Sequence, residues 1–299
     1  MNLSEVYKSI AEASVNLGDG WPDADKFRSM LDVTPDGKFV ATHFPDDDGP
    51  LGVFALMTQN EDATCILRQG TECFDQFCKE LTELSSQQGS VDNNEGDDKL
   101  LNYVLRQSPE SLHISICIFQ EHPKLLKDGL PPDWSAIGQP EVASLLTALS
   151  NEQSRFPPPT LRLDRILWTP DGALIAGFVE ENGTHYSRIK DSCQSCGKQV
   201  LKETQPTRVK NLIHVTLGRI VGLPSRWNLL QRTNVSEMVQ KYNQSVLPDL
   251  VEKIRSRQEY NYGKFRMEGA TLLRNRRWLL EENIIYGSWT FAPSSTLEE

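Results

Sequence analysis

The chain has 299 residues, 38% apolar and 24% charged, an ordinary globular composition long enough to bury a sizeable core. Thirty-one Lys and Arg stand against 41 Asp and Glu, a net charge of −10. That argues against a surface built to grip long nucleic acid, while leaving room for a small anion held by a local field. No apolar run approaches the ~18 residues of a membrane helix, and the N-terminus lacks the basic start and apolar block of a secretory signal. The expectation is a protein of the cytoplasm or nucleus, without a membrane partner and with reduced cysteines.

Leu3, Val6, Tyr7, Ile10, Ala13 and Leu17 recur at helical spacing, predicting an amphipathic helix over 1–17. Gly18 to Pro22 stops it, and a short helix is expected at 23–31. Thr34-Pro-Asp-Gly37 reads as a tight turn into a strand at 38–43. A loop at 45–50 precedes a buried strand at 51–57, and a helix is expected over 71–86, with Phe74, Phe77, Cys78 and Leu81 on one face. The polar run 85–98 reads as a long surface loop. A strong strand covers 112–119 and a helix 138–152. Residues 160–168 and 173–179 form a hairpin around a second Thr-Pro-Asp-Gly, at 169–172. A polar helix over 185–203, a strand over 211–221 and a helix over 233–256 broken at Pro248 follow. The chain closes with strands at 264–274 and 278–289, joined by a polar turn at Asn275-Arg-Arg277.

This order is α+β with antiparallel neighbours. A helix feeding a strand of the pattern His, apolar, hydroxyl, apolar occurs twice, at 113 and at 214, and the Thr-Pro-Asp-Gly turn precedes each. Both repeats suggest two similar lobes. The expected organisation is an N-terminal helical extension over 1–35 and a single bilobal domain over 36–299.

On a strand, side chains alternate between faces. His113, Ser115 and Cys117 are therefore expected on one face, with Ile114, Ile116 and Ile118 on the core face. In the second strand His214, Thr216 and Gly218 are expected together, the glycine leaving room for a ligand. Arg219 is expected on the opposite side with Val215 and Leu217. Polar groups such as these are costly to bury without partners, so the histidine faces should look into a cleft. Cleaving a phosphodiester needs a base and an acid, and two imidazoles supply both near neutral pH. Two hydroxyls donate to the phosphoryl oxygens where charge develops. Nothing in this set requires a metal or a cofactor, and none is expected. The spacing alone is cheap: His185-Tyr-Ser187 has it too, at the start of a polar helix. The strand context in both halves is what discriminates. Cys193 and Cys196 form a lone CxxC, too few ligands for structural zinc, and read as ordinary cysteines.

The paired His113-Ile-Ser-Ile116 and His214-Val-Thr-Leu217 resemble the H-x-[ST]-x motifs of the 2H phosphoesterase superfamily, which includes cyclic phosphodiesterases and RNA-ligase-associated phosphoesterases. The resemblance implies two pseudo-symmetric antiparallel sheets with outer helices around a central cleft. It implies His113 and His214 as acid/base partners, with Ser115 and Thr216 holding the phosphate. The ligand would be a 2′,3′-cyclic nucleotide or a short oligonucleotide phosphate, in a hydrolase of the RNA-processing kind. The alternative is a module that binds phosphate or nucleotide in the same cleft without turning it over.

Overall fold

The computed structural model describes residues 2–15, 30–44, 49–87, 100–121, 135–181, 183–201, 208–224, 227 and 229–292. The elements run α1 (Leu3–Val15), β1 (Leu31–Val33), β2 (Phe39–Ala41), β3 (Leu51–Leu56), α2 (Glu61–Gln87), β4 (Val104–Arg106), β5 (His113–Gln120) and α3 (Gln139–Gln153). They continue with β6 (Thr160–Trp168), β7 (Ala173–Glu180), α4 (His185–Val200), β8 (Arg208–Val209), β9 (Ile213–Ile220), α5 (Leu229–Lys241) and α6 (Leu247–Ser256). Strands β10 (Lys264–Arg266), β11 (Gly269–Arg277) and β12 (Glu282–Thr290) complete the chain.

Two five-stranded sheets carry the fold, ordered β10-β6-β7-β9-β4 and β12-β11-β3-β5-β8. Every pairing in them is antiparallel. The expected two-sheet α+β architecture is therefore what the strand order shows. Its symmetry is concrete. The unit β3-α2-β4-β5 matches β7-α4-β8-β9, and each short strand crosses over. β4 precedes β5 yet pairs with β9, and β8 precedes β9 yet pairs with β5. The helices cross as well: α2 packs on the sheet of β7 and β9, and α4 on β5 and β8. This exchange holds β5 and β9 side by side.

Helix α2 begins where the Asn60 side chain accepts from Ala63 N at 2.8 Å, satisfying a free end donor. Its Phe74, Phe77, Cys78 and Leu81 recur at helical spacing and are at most 1% exposed. Phe74 and Phe77 pack on Trp168, with ring centroids 5.6 and 4.5 Å away. Each such side chain contributes roughly 1.5–3 kcal/mol by leaving water. Helix α1 buries Tyr7 over Gly177, where a Cβ would lie 2.7 Å from the ring. The Tyr7 hydroxyl donates to Ile213 O at 2.6 Å. Gly177 pairs with His214 in register, so α1 backs the sheet beside that histidine.

Several expectations shift. The helix expected at 71–86 starts ten residues earlier. The helix at 233–256 does not break at Pro248. A single π-helical turn, Tyr242–Val246, interrupts it instead, and Pro248 lies in the first turn of α6, where its missing N–H is harmless. The strand expected over 264–274 is two strands in different sheets, β10 beside β6 and β11 beside β3. Residues 275–277 belong to β11, and the turn is Trp278–Leu280. An apolar turn forms because it is buried: Leu279 and Leu280 are 8% and 3% exposed. The two Thr-Pro-Asp-Gly turns share geometry, with Gly37 and Gly172 at φ 79° and 78°. They do not mark a repeat, because the first joins β1 and β2 in a separate two-stranded sheet. The turn at 18–22, the helix at 23–31 apart from its end, and most of the 85–98 loop lie outside the described residues.

Candidate active site

Ser115, Thr216, His113 and His214, expected from the sequence as a set, all line one cavity of about 270 Å³ between the two sheets. Each is half-buried. Among the described residues, neither hydroxyl is tied up by a side-chain hydrogen bond, so both are available to a ligand.

Alternation along both strands breaks at the same place. In β5 the register with β3 skips Ile116 (Val53 faces Cys117, Phe54 faces Ser115). In β9 the register with β7 skips Leu217 (Leu174 faces Gly218, Ile175 faces Thr216). Each bulge falls three residues after its histidine. Each bulged carbonyl accepts from the residue that follows the exchanged strand: Ile116 O from Lys210 N at 3.0 Å, and Leu217 O from Gln107 N at 3.3 Å. An extra residue reverses which face the later side chains meet.

Three expectations are corrected by these bulges. Cys117 faces the core and is fully buried, while Ile118 lines the cavity. Gly218 faces α2, where a Cβ would lie 2.5 Å from the Phe74 ring, so its missing side chain makes room for a core phenylalanine and not for a ligand. Arg219 lines the cavity with His214.

Arg219 binds Asp171 at 2.7 Å and lies over the Trp278 ring at 5.5 Å. Burial works to raise the Asp171 pKa, but the Arg219 charge and the Thr169 hydroxyl together bring it below the usual range. Lys210 is the second cation that strand periodicity did not point to. It lines the cavity together with Glu121 and has no carboxylate within ion-pair distance among the described residues; Glu121 pairs with Arg208 at 3.1 Å. Burial pushes the Lys210 pKa down. Phe54, Ile118, Trp278, Leu279 and Leu280 supply the apolar part of the wall.

The two imidazoles differ in support. His113 Nδ1 lies 2.7 Å from Ser111 O. A carbonyl only accepts, so Nδ1 carries the proton and Nε2 is the nitrogen left for a ligand. Phe54 packs edge-on against this ring at 5.3 Å. His214 Nδ1 is buried and has no hydrogen-bond partner among the described residues. Burial pulls the His113 pKa down to about 4, against the opposing pull of the Ser111 carbonyl. Burial also takes His214 to about 4, helped by His113, Lys210 and Arg219 and opposed by Asp171. Both rings are therefore neutral at pH 7.

Other candidates fall elsewhere. Trp168 and Tyr186 are core residues, at most 1% exposed. Arg188 sits over Phe156 at 5.1 Å, on neither of the cleft strands. Cys193 and Cys196 are free and buried on α4, and no cluster of potential metal ligands occurs among the described residues. No helix among the described residues is long and apolar enough to cross a membrane.

No family model matches the chain, and no curated protein matches it either. Among solved structures it is similar to TT0787 of Thermus thermophilus, at 12% identity, covering 81% of this chain and 97% of that one, with a TM-score of 0.42. It is similar to E. coli LigT complexed with NADP+, at 10% identity over 83% and 100% of the two chains, with a TM-score of 0.41. A structure described as a phosphoesterase gives 11% identity over 82% and 99%, with a TM-score of 0.41. At this degree of likeness the fold rests on the strand order set out above.

Proposed function

We propose that the protein is a phosphodiesterase that hydrolyses a cyclic phosphodiester, a 2′,3′-cyclic nucleotide or a short oligonucleotide end, by acid/base catalysis from His113 and His214. The observation that carries this reading is the convergence of both imidazoles and both hydroxyls on one cavity from strands about a hundred residues apart. Two neutral imidazoles alone offer little to an anion. Lys210, at the same wall and outside ion-pair distance of any carboxylate among the described residues, supplies the charge, and Ser115 and Thr216 donate to the non-bridging oxygens.

The roles follow from the surroundings. His214 stands near the cations Lys210 and Arg219, which disfavour its protonated form, so it is the base that takes a proton from water. His113 has a carbonyl behind Nδ1, which favours the imidazolium, so it is the acid. A bound phosphodiester anion raises both pKa values and lets His113 hold its second proton. Water oxygen bonds to phosphorus, the ring P–O bond breaks, and His113 Nε2 delivers a proton to the departing ribose oxygen. The product is a phosphate monoester. No step of this scheme calls for a metal ion, so chelator should leave turnover unchanged.

The test is turnover of a panel of 2′,3′-cyclic nucleotides by His113→Ala and His214→Ala, with folding checked by circular dichroism. Loss of turnover in both is expected, and full activity in either would remove that histidine from the mechanism. The low pKa values of both free imidazoles also suit a module that only binds phosphate. Calorimetric binding of the cyclic nucleotide with no product after long incubation would favour that second reading.

A further inference from the structure

We infer that Gln107 is the positioning residue for His113, acting through the Ser111 carbonyl. The inference rests on the proposed role of His113 in proton transfer. Gln107 does not line the cavity, and it is 2% exposed. It follows β4, the strand lent to the other lobe, and its backbone N–H reaches the bulged Leu217 carbonyl of the His214 strand. Its side-chain Nε2, with two protons to give, lies within hydrogen-bond distance of three acceptors: Ser111 O at 3.0 Å, Ser111 Oγ at 2.8 Å and Leu279 O. Two of those three acceptors are carbonyls, which have no proton to give. The amide must therefore turn its NH2 and not its oxygen toward them.

One buried residue thus joins three parts of the site. Its backbone N–H touches the bulge of the His214 strand. Its side-chain amide holds the carbonyl that accepts from His113 Nδ1 at 2.7 Å. It also ties down a turn whose Leu279 and Leu280 have φ of 70° and 57°, a left-handed backbone that residues other than glycine seldom adopt. Those two leucines wall the cavity. The opposite lobe provides an internal control. Lys210 makes the matching backbone bond to Ile116 O, but its side chain lines the cavity, and among the described residues His214 Nδ1 is left without a partner. The support is built on one side only.

Holding the Ser111 carbonyl fixes His113 as the Nδ1–H tautomer and presents Nε2 to the substrate. Without the amide, the carbonyl and the leucine turn each lose a donor. The ring is then free to exchange tautomers, because the carbonyl that accepts from Nδ1 and favours its charged form is no longer held in place.

The experiment uses the full chain and two readouts. In wild-type protein, 15N NMR of His113 should show the Nδ1–H tautomer; an Nε2–H ring would overturn the proposal without any variant. In Gln107→Leu, a mixture of tautomers is expected. With a 2′,3′-cyclic nucleotide, kcat should fall by about tenfold with KM within about twofold. The limb of the kcat profile that follows protonated His113 should move to lower pH, because a Ser111 carbonyl no longer held against Nδ1 favours the proton less. Ser111→Ala removes the hydroxyl and keeps the carbonyl, so tautomer and pH limb should stay as in wild type. An unchanged tautomer and limb in Gln107→Leu would overturn the proposal. So would a Ser111→Ala protein that shifts both as far, since the loop and not the amide would then set the ring. The NMR result does not depend on turnover. An active His113→Ala protein would defeat the proposed catalytic role while leaving the tautomer result to decide the positioning.

Discussion

His113 and His214 stand on matched strands, three residues before matched bulges, beside strands exchanged between the lobes, yet their neighbours differ in kind. Around His113 the support is a carbonyl, a buried amide and an apolar wall of Phe54, Ile118 and Leu280. Around His214 it is charge: Lys210, and Arg219 with Asp171. The residue five positions after the histidine shows this most plainly, being Ile118 in one lobe and Arg219 in the other. A symmetric frame fixes where two imidazoles meet. In the proposed mechanism the unlike shells make them unlike groups, one to hold a proton and one to remove it.

The sharpest way to break that comparison is a substrate that needs no acid. With a 2′,3′-cyclic nucleotide, removing either imidazole should cost on the order of 10²–10⁴ in kcat. With bis(4-nitrophenyl) phosphate the leaving group departs as a stable anion. Then His113→Ala should lose less than about tenfold, while His214→Ala still loses on the order of 10²–10⁴. Equal losses on the activated ester would erase the distinction, and the reverse order would exchange the roles.

How much of this was legible beforehand depends on which side of the bulges a residue lies. His113, Ser115, His214 and Thr216 precede them, and strict alternation places all four together. Cys117, Ile118, Gly218 and Arg219 follow them, and alternation puts each on the wrong face. A bulge carries no residue signature here: the skipped residues are Ile116 and Leu217, ordinary strand formers that seat in the core. Lys210 was invisible for a different reason. It lies just beyond a two-residue strand whose partner is in the other lobe, and no local periodicity reports that. The apolar turn at Trp278–Leu280 was misread because turns are usually polar and solvated, whereas this one is buried against the cleft. The polar Asn275-Arg-Arg277 that looked like the turn sits within β11, where Asn275 N donates to Pro50 O and the Arg277 guanidinium pairs with Glu282.

Lys210 allows a finer test of the charged shell. Lys210→Met should weaken inorganic phosphate binding by about tenfold, the size of a charge-assisted contact of ~1.5 kcal/mol. It should also raise the His214 pKa, because the ammonium opposes its proton. The limb of the kcat/KM profile set by the free base should move to higher pH. Phosphate titration and a pH profile on the same protein check both. A variant with unchanged phosphate affinity would take Lys210 out of the site. A His214 limb moving the other way would contradict the charge pattern described here.

The same two imidazoles also tie stability to pH. Both imidazoles titrate near pH 4 in the native fold and near 6.5 when unfolded. Between those values the unfolded chain binds more protons, so stability falls as pH drops through 6.5 and stops falling on this account below about 4. Thermal melts from pH 7 to 5 should show that decline, and the His113→Asn/His214→Asn double variant should flatten it. A double variant with the wild-type slope would place the linkage elsewhere.

A last test concerns the bulge itself. Position 218 was expected to open onto the ligand, but the skipped Leu217 turns it toward Phe74. Phe74 is fully buried against Trp168 and Gly218, so its ring has little freedom to retreat from an added methyl. Gly218→Ala should therefore cost about 1–3 kcal/mol in urea denaturation, the usual cost of overpacking a core. Phosphate affinity of the folded fraction should stay within about twofold, since the methyl enters the core and not the cavity. Ile118→Ala, at the matching strand's cavity-facing position, should instead alter KM for a cyclic nucleotide. If Gly218→Ala left stability intact and blocked phosphate, strict alternation would hold in β9 and Arg219 would leave the cavity. The charged shell that makes His214 unlike His113 would go with it.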